Sequence, residues 1–81
     1  MQVKVLLFGY LSAKAQWAEK SISLPASATI DQLLDLLSND EAVIKEARPR
    51  LAVAVNLEYQ KPTHPLEEGD EVALIPPVSG G

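Results

Sequence analysis

The last six residues of this 81-residue chain, Pro76, Pro77, Val78, Ser79, Gly80 and Gly81, are its most specific chemical signal. Two prolines hold the backbone near extended or polyproline geometry, and the two glycines carry no side chain. Five residues beyond Pro76 reach at most about 18 Å when extended. Such a tail suits insertion into a narrow channel of another protein, where any Cβ would clash. Terminal residues often simply fray. Here the tail leaves directly from a strand-like run through a rigid Pro-Pro step, which favours presentation over fraying. Other candidate chemistry is sparse. His64 is the only histidine, between Thr63 and Pro65, and without cysteine or a second histidine it cannot anchor an ordinary zinc site, so it reads as a solvated turn residue. Ser79 lacks the Gly-x-Ser-x-Gly setting of a nucleophile. Glu67, Glu68, Asp70 and Glu71 lack the alternating spacing of a calcium loop and read as a solvated turn, with a docking edge for a basic partner as the functional alternative.

Composition narrows the classes further. The chain has no cysteine, which removes disulfides, thiolate zinc sites and side-chain thiol catalysis. Its net charge of -4, with only seven scattered basic residues, argues against nucleic acid as a partner. A domain of this size buries only about 60% of the surface its unfolded chain exposes. A closed pocket of roughly 300 Å³ would consume much of that core, so a self-contained enzyme is disfavoured. Lys4, the apolar run Val5 to Leu11, and Ala13 and Ala15 loosely imitate a secretory signal, but cleavage there would remove the best strand candidate. No apolar stretch approaches the roughly 18 residues of a membrane span. The expectation is a soluble cytoplasmic domain covering residues 1–81, with a flexible tail over residues 76–81.

Periodicity gives the framework that carries the tail. Val3, Val5 and Leu7 alternate with Lys4, Leu6 and Phe8, giving a first strand with one wholly apolar face. Tyr10 to Ala18 fits either a short helix or an ordered loop. Glu19 to Leu24 reads as a second strand, paired with the first as a hairpin. Thr29 and Gln32 have capping-box spacing, Asp31 suits the positive end of the helix dipole, and Ile30, Leu33, Leu34 and Leu37 form one stripe. Asn39 and Asp40 are expected to interrupt that helix, Glu41 to Arg48 to add a short turn, and Pro49 to close the region. Leu51 to Val55 reads as a strand from the middle of a sheet, Gly69 as the centre of a tight turn, and Glu71 to Ile75 as the last strand, stopped by Pro76 and Pro77. The order strand, strand, helix, strand, strand is α+β: a mixed sheet packed against one main helix. Phe8, Ile75, Pro76 and Pro77 then form an apolar docking patch beside the tail unless Tyr10 or Trp17 covers it.

The run from Leu66 to Gly81, above all Gly69-Asp70-Glu71-Val72 and then Pro76-Pro77-Val78-Ser79-Gly80-Gly81, closely resembles the end of the MoaD-type small subunits of molybdopterin synthase. Lys4 to Gly9, Ala54-Val55-Asn56 and His64-Pro65-Leu66 also fit that family, so the likeness spans the whole chain. Members often carry an Arg-Glu-like pair where this chain has Ser12 and Ala13, and a glycine where it has Gln16.

The resemblance implies a ubiquitin-like β-grasp domain that serves as a sulfur carrier, a non-catalytic subunit of a heterotetrameric synthase. An E1-like, MoeB-type adenylyltransferase would adenylate the Gly81 carboxylate with ATP and magnesium, neither bound by this chain. Sulfur transfer would then give a thiocarboxylate. A large, MoaE-type subunit would receive the tail residues Val78, Ser79, Gly80 and Gly81 in its active site and pass the sulfur to cyclic pyranopterin monophosphate. A carboxylate becomes a good acyl donor once its oxygen leaves as AMP, and a thioacid is a compact nucleophile. Related possibilities are a carrier for thiazole synthesis or tRNA thiolation, a protein modifier, and a passive ubiquitin-like binding module.

Overall fold

The computed structural model describes residues 1–77, and the tail residues 78–81 lie outside the described part. The chain runs β1 (Gln2–Leu7), α1 (Tyr10–Ala15), β2 (Glu19–Ser23), α2 (Ile30–Asp40), α3 (Ala42–Ala47), a 3-10 turn (Arg48–Arg50), β3 (Ala52–Val55), β4 (Glu58–Tyr59) and β5 (Glu71–Ile75). The strands form one sheet in the order β2-β1-β5-β3-β4. β1 and β5 are parallel, with Val5 opposite Val72 and Leu7 opposite Leu74, and the other pairs are antiparallel. This mixed sheet clasping α2 is the α+β arrangement expected.

The period-two reading of β1 holds, since Val3, Val5 and Leu7 are buried while Lys4 and Phe8 are exposed. Opposite them, Ile30, Leu33, Leu34 and Leu37 of α2 are buried in the same core. Each such side chain removed from water contributes about 1.5–3 kcal/mol, which is why the stripe and the sheet must meet. The capping box forms as expected: Thr29 Oγ1 accepts from the Gln32 amide at 3.2 Å, and Gln32 Oε1 accepts from the Thr29 amide at 2.8 Å. Two further free amides at this helix start, those of Ile30 and Asp31, donate to the carbonyls of His64 and Pro62 at 3.0 and 2.9 Å. The expected turn at His64 is present and mostly exposed, with His64 itself half-buried, and its backbone carbonyls also cap α2.

Three local expectations are corrected. Asn39 and Asp40 stay inside α2, and the break falls at Glu41, where φ is -127° and ψ 106°. Their modest propensity cost, at most about 0.7 kcal/mol each, is small beside the packing of Leu33, Leu34 and Leu37 on an already nucleated helix. Pro49 does not close the region; it sits inside the 3-10 turn, and Arg48 before it is helical at φ -45° and ψ -46°. The Arg48 guanidinium bridges back to α2, to Asp31 Oδ1 at 2.6 Å and Asp35 Oδ1 at 2.7 Å. Those two hydrogen bonds, Asp31 first, raise the guanidinium pKa above its ordinary value. The strand β4 is the third difference. Two residues are too short for periodicity to reveal, and β4 exists because Ala54 pairs with Tyr59 and Val55 with Glu58.

Candidate partner site at the tail end of the sheet

The central strand β5 carries the chain to its exit. Val72 and Leu74 point into the core, and Ala73 and Ile75 face the other side of the sheet, as the alternation predicts. β1 runs parallel to β5, so its last residues arrive at the same end. The Phe8 amide donates to the Leu74 carbonyl at 3.3 Å, and beyond Ile75 the prolines offer no N–H for a further rung. The structure thus brings Phe8, Ile75, Pro76 and Pro77 to one end of the sheet. Phe8 is 47% exposed, Ile75 and Pro76 are half-buried, and Pro77 is exposed.

Of the two aromatic neighbours in the β1–β2 connection, Trp17 is engaged elsewhere. The Trp17 indole N–H donates to Glu41 Oε2 at 2.9 Å, Lys20 Nζ lies 4.5 Å from its ring centre, and the ring packs against the helix-side core. Tyr10 is itself exposed in the first turn of α1. The undecided segment is therefore the short helix α1, with Leu11 buried beneath it. Gln16 ends α1 in the left-handed region at φ 67°. The glycine that MoaD-type chains often carry at this position has a backbone reason.

The patch continues along the outward face of the sheet, where alternation already places Leu6 and Ala73, to a residue that sequence reasoning missed, Tyr59. Leu6 pairs with Ala73, Ala73 with Ala54, and Ala54 with Tyr59, so these four share one row on the face away from α2. Small alanines form the floor of that row, and Tyr59, 73% exposed, stands at its far side. The signal for it was the alternation in Ala52–Val55, but Tyr59 joins only through β4.

At the opposite end, the acidic turn is not simply solvated. Asp70 is 9% exposed; its Oδ1 accepts from Asn56 Nδ2 at 2.9 Å and its Oδ2 from the Glu67 amide at 2.8 Å. Asn56 Oδ1 accepts from the Glu71 amide at 3.0 Å, tying the β3–β4 turn to the start of β5. Glu68 Oε1 accepts from the Gln2 amide at 2.9 Å. Two of the four carboxylates are therefore structural acceptors, drawn in by backbone and amide donors that would otherwise be unpaired.

An open groove of about 550 Å³ lies between α2, the 3-10 turn and β3–β4, lined by Arg48, Leu51, Tyr59 and Pro62 among others. Its one guanidinium is already taken by Asp31 and Asp35. Among the described residues, no group of three or more His, Asp or Glu side chains could hold a metal ion, and no helix is long and apolar enough to cross a membrane. The tail residues Val78, Ser79, Gly80 and Gly81, the reactive end expected from the sequence, fall outside the described part.

A strand-borne tail on a mixed sheet that clasps one helix is an arrangement shared with known proteins. Residues 5–81 match the model of the ThiS family. The chain belongs to the ThiS family. A molybdopterin synthase sulfur carrier subunit from Chlamydomonas reinhardtii is 35% identical over 83 aligned positions, covering all of both chains. Among solved structures, SAMP1, the small archaeal modifier protein 1 of Haloferax volcanii, superposes with a TM-score of 0.85 at 28% identity, covering 100% of each chain. A chain from the complex of subunits 1 and 2 of the molybdopterin-converting factor of Helicobacter pylori superposes at 0.74 and 28% identity, again over 100% of each chain. The resemblance to the small-subunit family and the ubiquitin-like fold expected from the sequence are both borne out.

Proposed function

We propose that this ThiS-family chain is the sulfur carrier subunit of a molybdopterin synthase, acting in the cytoplasm with the C-terminal carboxylate of Gly81 as its reactive group. An E1-like adenylyltransferase joins that carboxylate to the AMP portion of ATP, releasing pyrophosphate. A sulfur nucleophile then attacks the acyl carbon, AMP leaves, and the thiocarboxylate forms. The large synthase subunit takes up the tail and passes the sulfur to cyclic pyranopterin monophosphate. The observation that best supports this reading is the exit of the chain from the central strand β5 at Pro76, beside an exposed apolar patch. That geometry suits a domain that docks by the patch and inserts the tail beyond it.

The test is reconstitution with the large subunit. Deleting Gly81 leaves the fold intact and abolishes formation of the pterin dithiolene; a truncated chain that still supports that product contradicts the carrier mechanism. The likeness to SAMP1 favours a second reading, attachment of Gly81 to lysines of other proteins. Conjugates that appear on incubation with the adenylyltransferase and a lysate, and vanish without Gly81, favour that reading.

A further inference from the structure

We propose that Gly9 is a positioning residue for the C-terminal tail, its bare Cα forming the seat on which the Pro76 ring fixes the direction in which the chain leaves the sheet. The proposal rests on the carrier reading for its consequence, though not for its geometry. Gly9 precedes α1 as its N-cap residue, with φ 58° and ψ -139°, a combination that residues with a Cβ avoid. A Cβ at this position would stand 3.1 Å from Pro76 Cγ and 3.8 Å from Pro76 Cδ. The first distance is closer than ordinary side-chain packing, so the ring would have to shift. Gly9 is itself held on both sides. The amide of Phe8 before it donates to the Leu74 carbonyl at 3.3 Å, and the Ser12 hydroxyl donates to the Gly9 carbonyl at 3.0 Å.

This contact matters because the sheet ladder stops there. Neither Pro76 nor Pro77 has an N–H to pair, so ring packing and the fixed proline φ take over the task of orienting the backbone. Gly81 is five residues beyond Pro76, about 18 Å along an extended chain. The direction set at Pro76 is the starting point from which the tail reaches a partner, and misplacement of a reacting atom by about 1 Å can cost about 100-fold in rate. Gly9 touches no reacting atom; it acts through Pro76.

The experiment uses full-length chains bearing a preformed C-terminal thiocarboxylate, mixed with saturating large subunit and cyclic pyranopterin monophosphate, so that affinity drops out of the measured rate. Amide shifts of Val78 and Ser79 are recorded on the free chains. Gly9→Ala is expected to slow transfer at least tenfold and to move those shifts. Pro76→Ala slows it as well, and in the Gly9→Ala background it adds no further loss, because the ring that the new Cβ meets is gone. Wild-type transfer by Gly9→Ala, or losses that multiply in the double variant, overturn the proposal. Should Gly9→Ala fail to fold, Pro76→Ala removes the contact from the other side, and a wild-type rate in it is then the overturning result. A wild-type chain that transfers no sulfur overturns the carrier reading instead; the amide shifts still decide whether Gly9 steers the chain at Pro76.

Discussion

The two ends of the sheet are built on opposite principles. At the acidic-turn end, Asp70, Asn56, Glu68 and the amides of Gln2, Glu67 and Glu71 satisfy one another in a network 2.8 to 3.0 Å per bond. Further backbone bonds, Lys4 amide to Asp70 carbonyl at 2.9 Å and Gly69 amide to Gln2 carbonyl at 2.8 Å, close the same end. At the tail end, Phe8, Ile75, Pro76 and Pro77 carry no polar side-chain atom, and Phe8 and Pro77 stand exposed. One end is closed by its own hydrogen bonds, and the other leaves apolar side chains exposed. Polar groups that bind each other internally hold the fold at that end, whereas an apolar patch gains only when something covers it.

This contrast between the ends is most vulnerable at Asp70. Asp70→Ala leaves the Asn56 amide and the Glu67 N–H without their charged acceptor and should lower unfolding stability by about 2–3 kcal/mol, measured by urea denaturation. Affinity for the large subunit, measured on the folded fraction, should not change. A stability loss below about 0.5 kcal/mol would mean that the network does not hold that end. The reverse pattern is expected at the patch. Phe8→Asp or Ile75→Asp should weaken large-subunit binding at least tenfold, about 1.4 kcal/mol, with a smaller change in stability; undiminished binding removes the patch from the interface.

Smaller effects refine the contrast. Leu57, 91% exposed, and Asn56 are the central residues of the β3–β4 turn and both have positive φ, 72° and 50°, the pattern of a two-residue hairpin that favours glycine. Leu57→Gly should therefore stabilise the chain by about 0.5–1 kcal/mol without loss of binding. Weaker binding in that variant would extend the presented surface to the far end. Gln16→Gly at the end of α1 should give a gain of similar or smaller size, about 0.5 kcal/mol in thermal or urea unfolding. No gain would mean that Gln16 bears no strain at φ 67°.

Much of this contrast was legible in the sequence, unevenly so. Alternation in Val3–Leu7 and Glu71–Ile75 and the stripe from Ile30 to Leu37 are local patterns, and each local pattern became the element it implied. The apolar members of the tail-end patch emerged from the same alternation. Asp70 did not, because its neighbours in sequence are acidic while its partner Asn56 lies fourteen residues away, across a turn that only the β3–β5 pairing brings close. The capping role at His64 was hidden for the same reason: its carbonyl serves a helix start thirty-four residues earlier. Tyr59 needed a two-residue strand to place it beside Ala54. Interactions set by long-range pairing leave no periodic trace.

Carrier chemistry at Gly81 is tested most directly by an intact mass. Full-length protein is incubated with the E1-like adenylyltransferase, ATP, magnesium and a sulfur donor, beside a chain lacking Gly81. The full-length chain is expected to gain the mass difference of one oxygen replaced by one sulfur, and the shortened chain to gain none. An unchanged full-length mass, with the adenylyltransferase active on a known carrier, would contradict the carrier role.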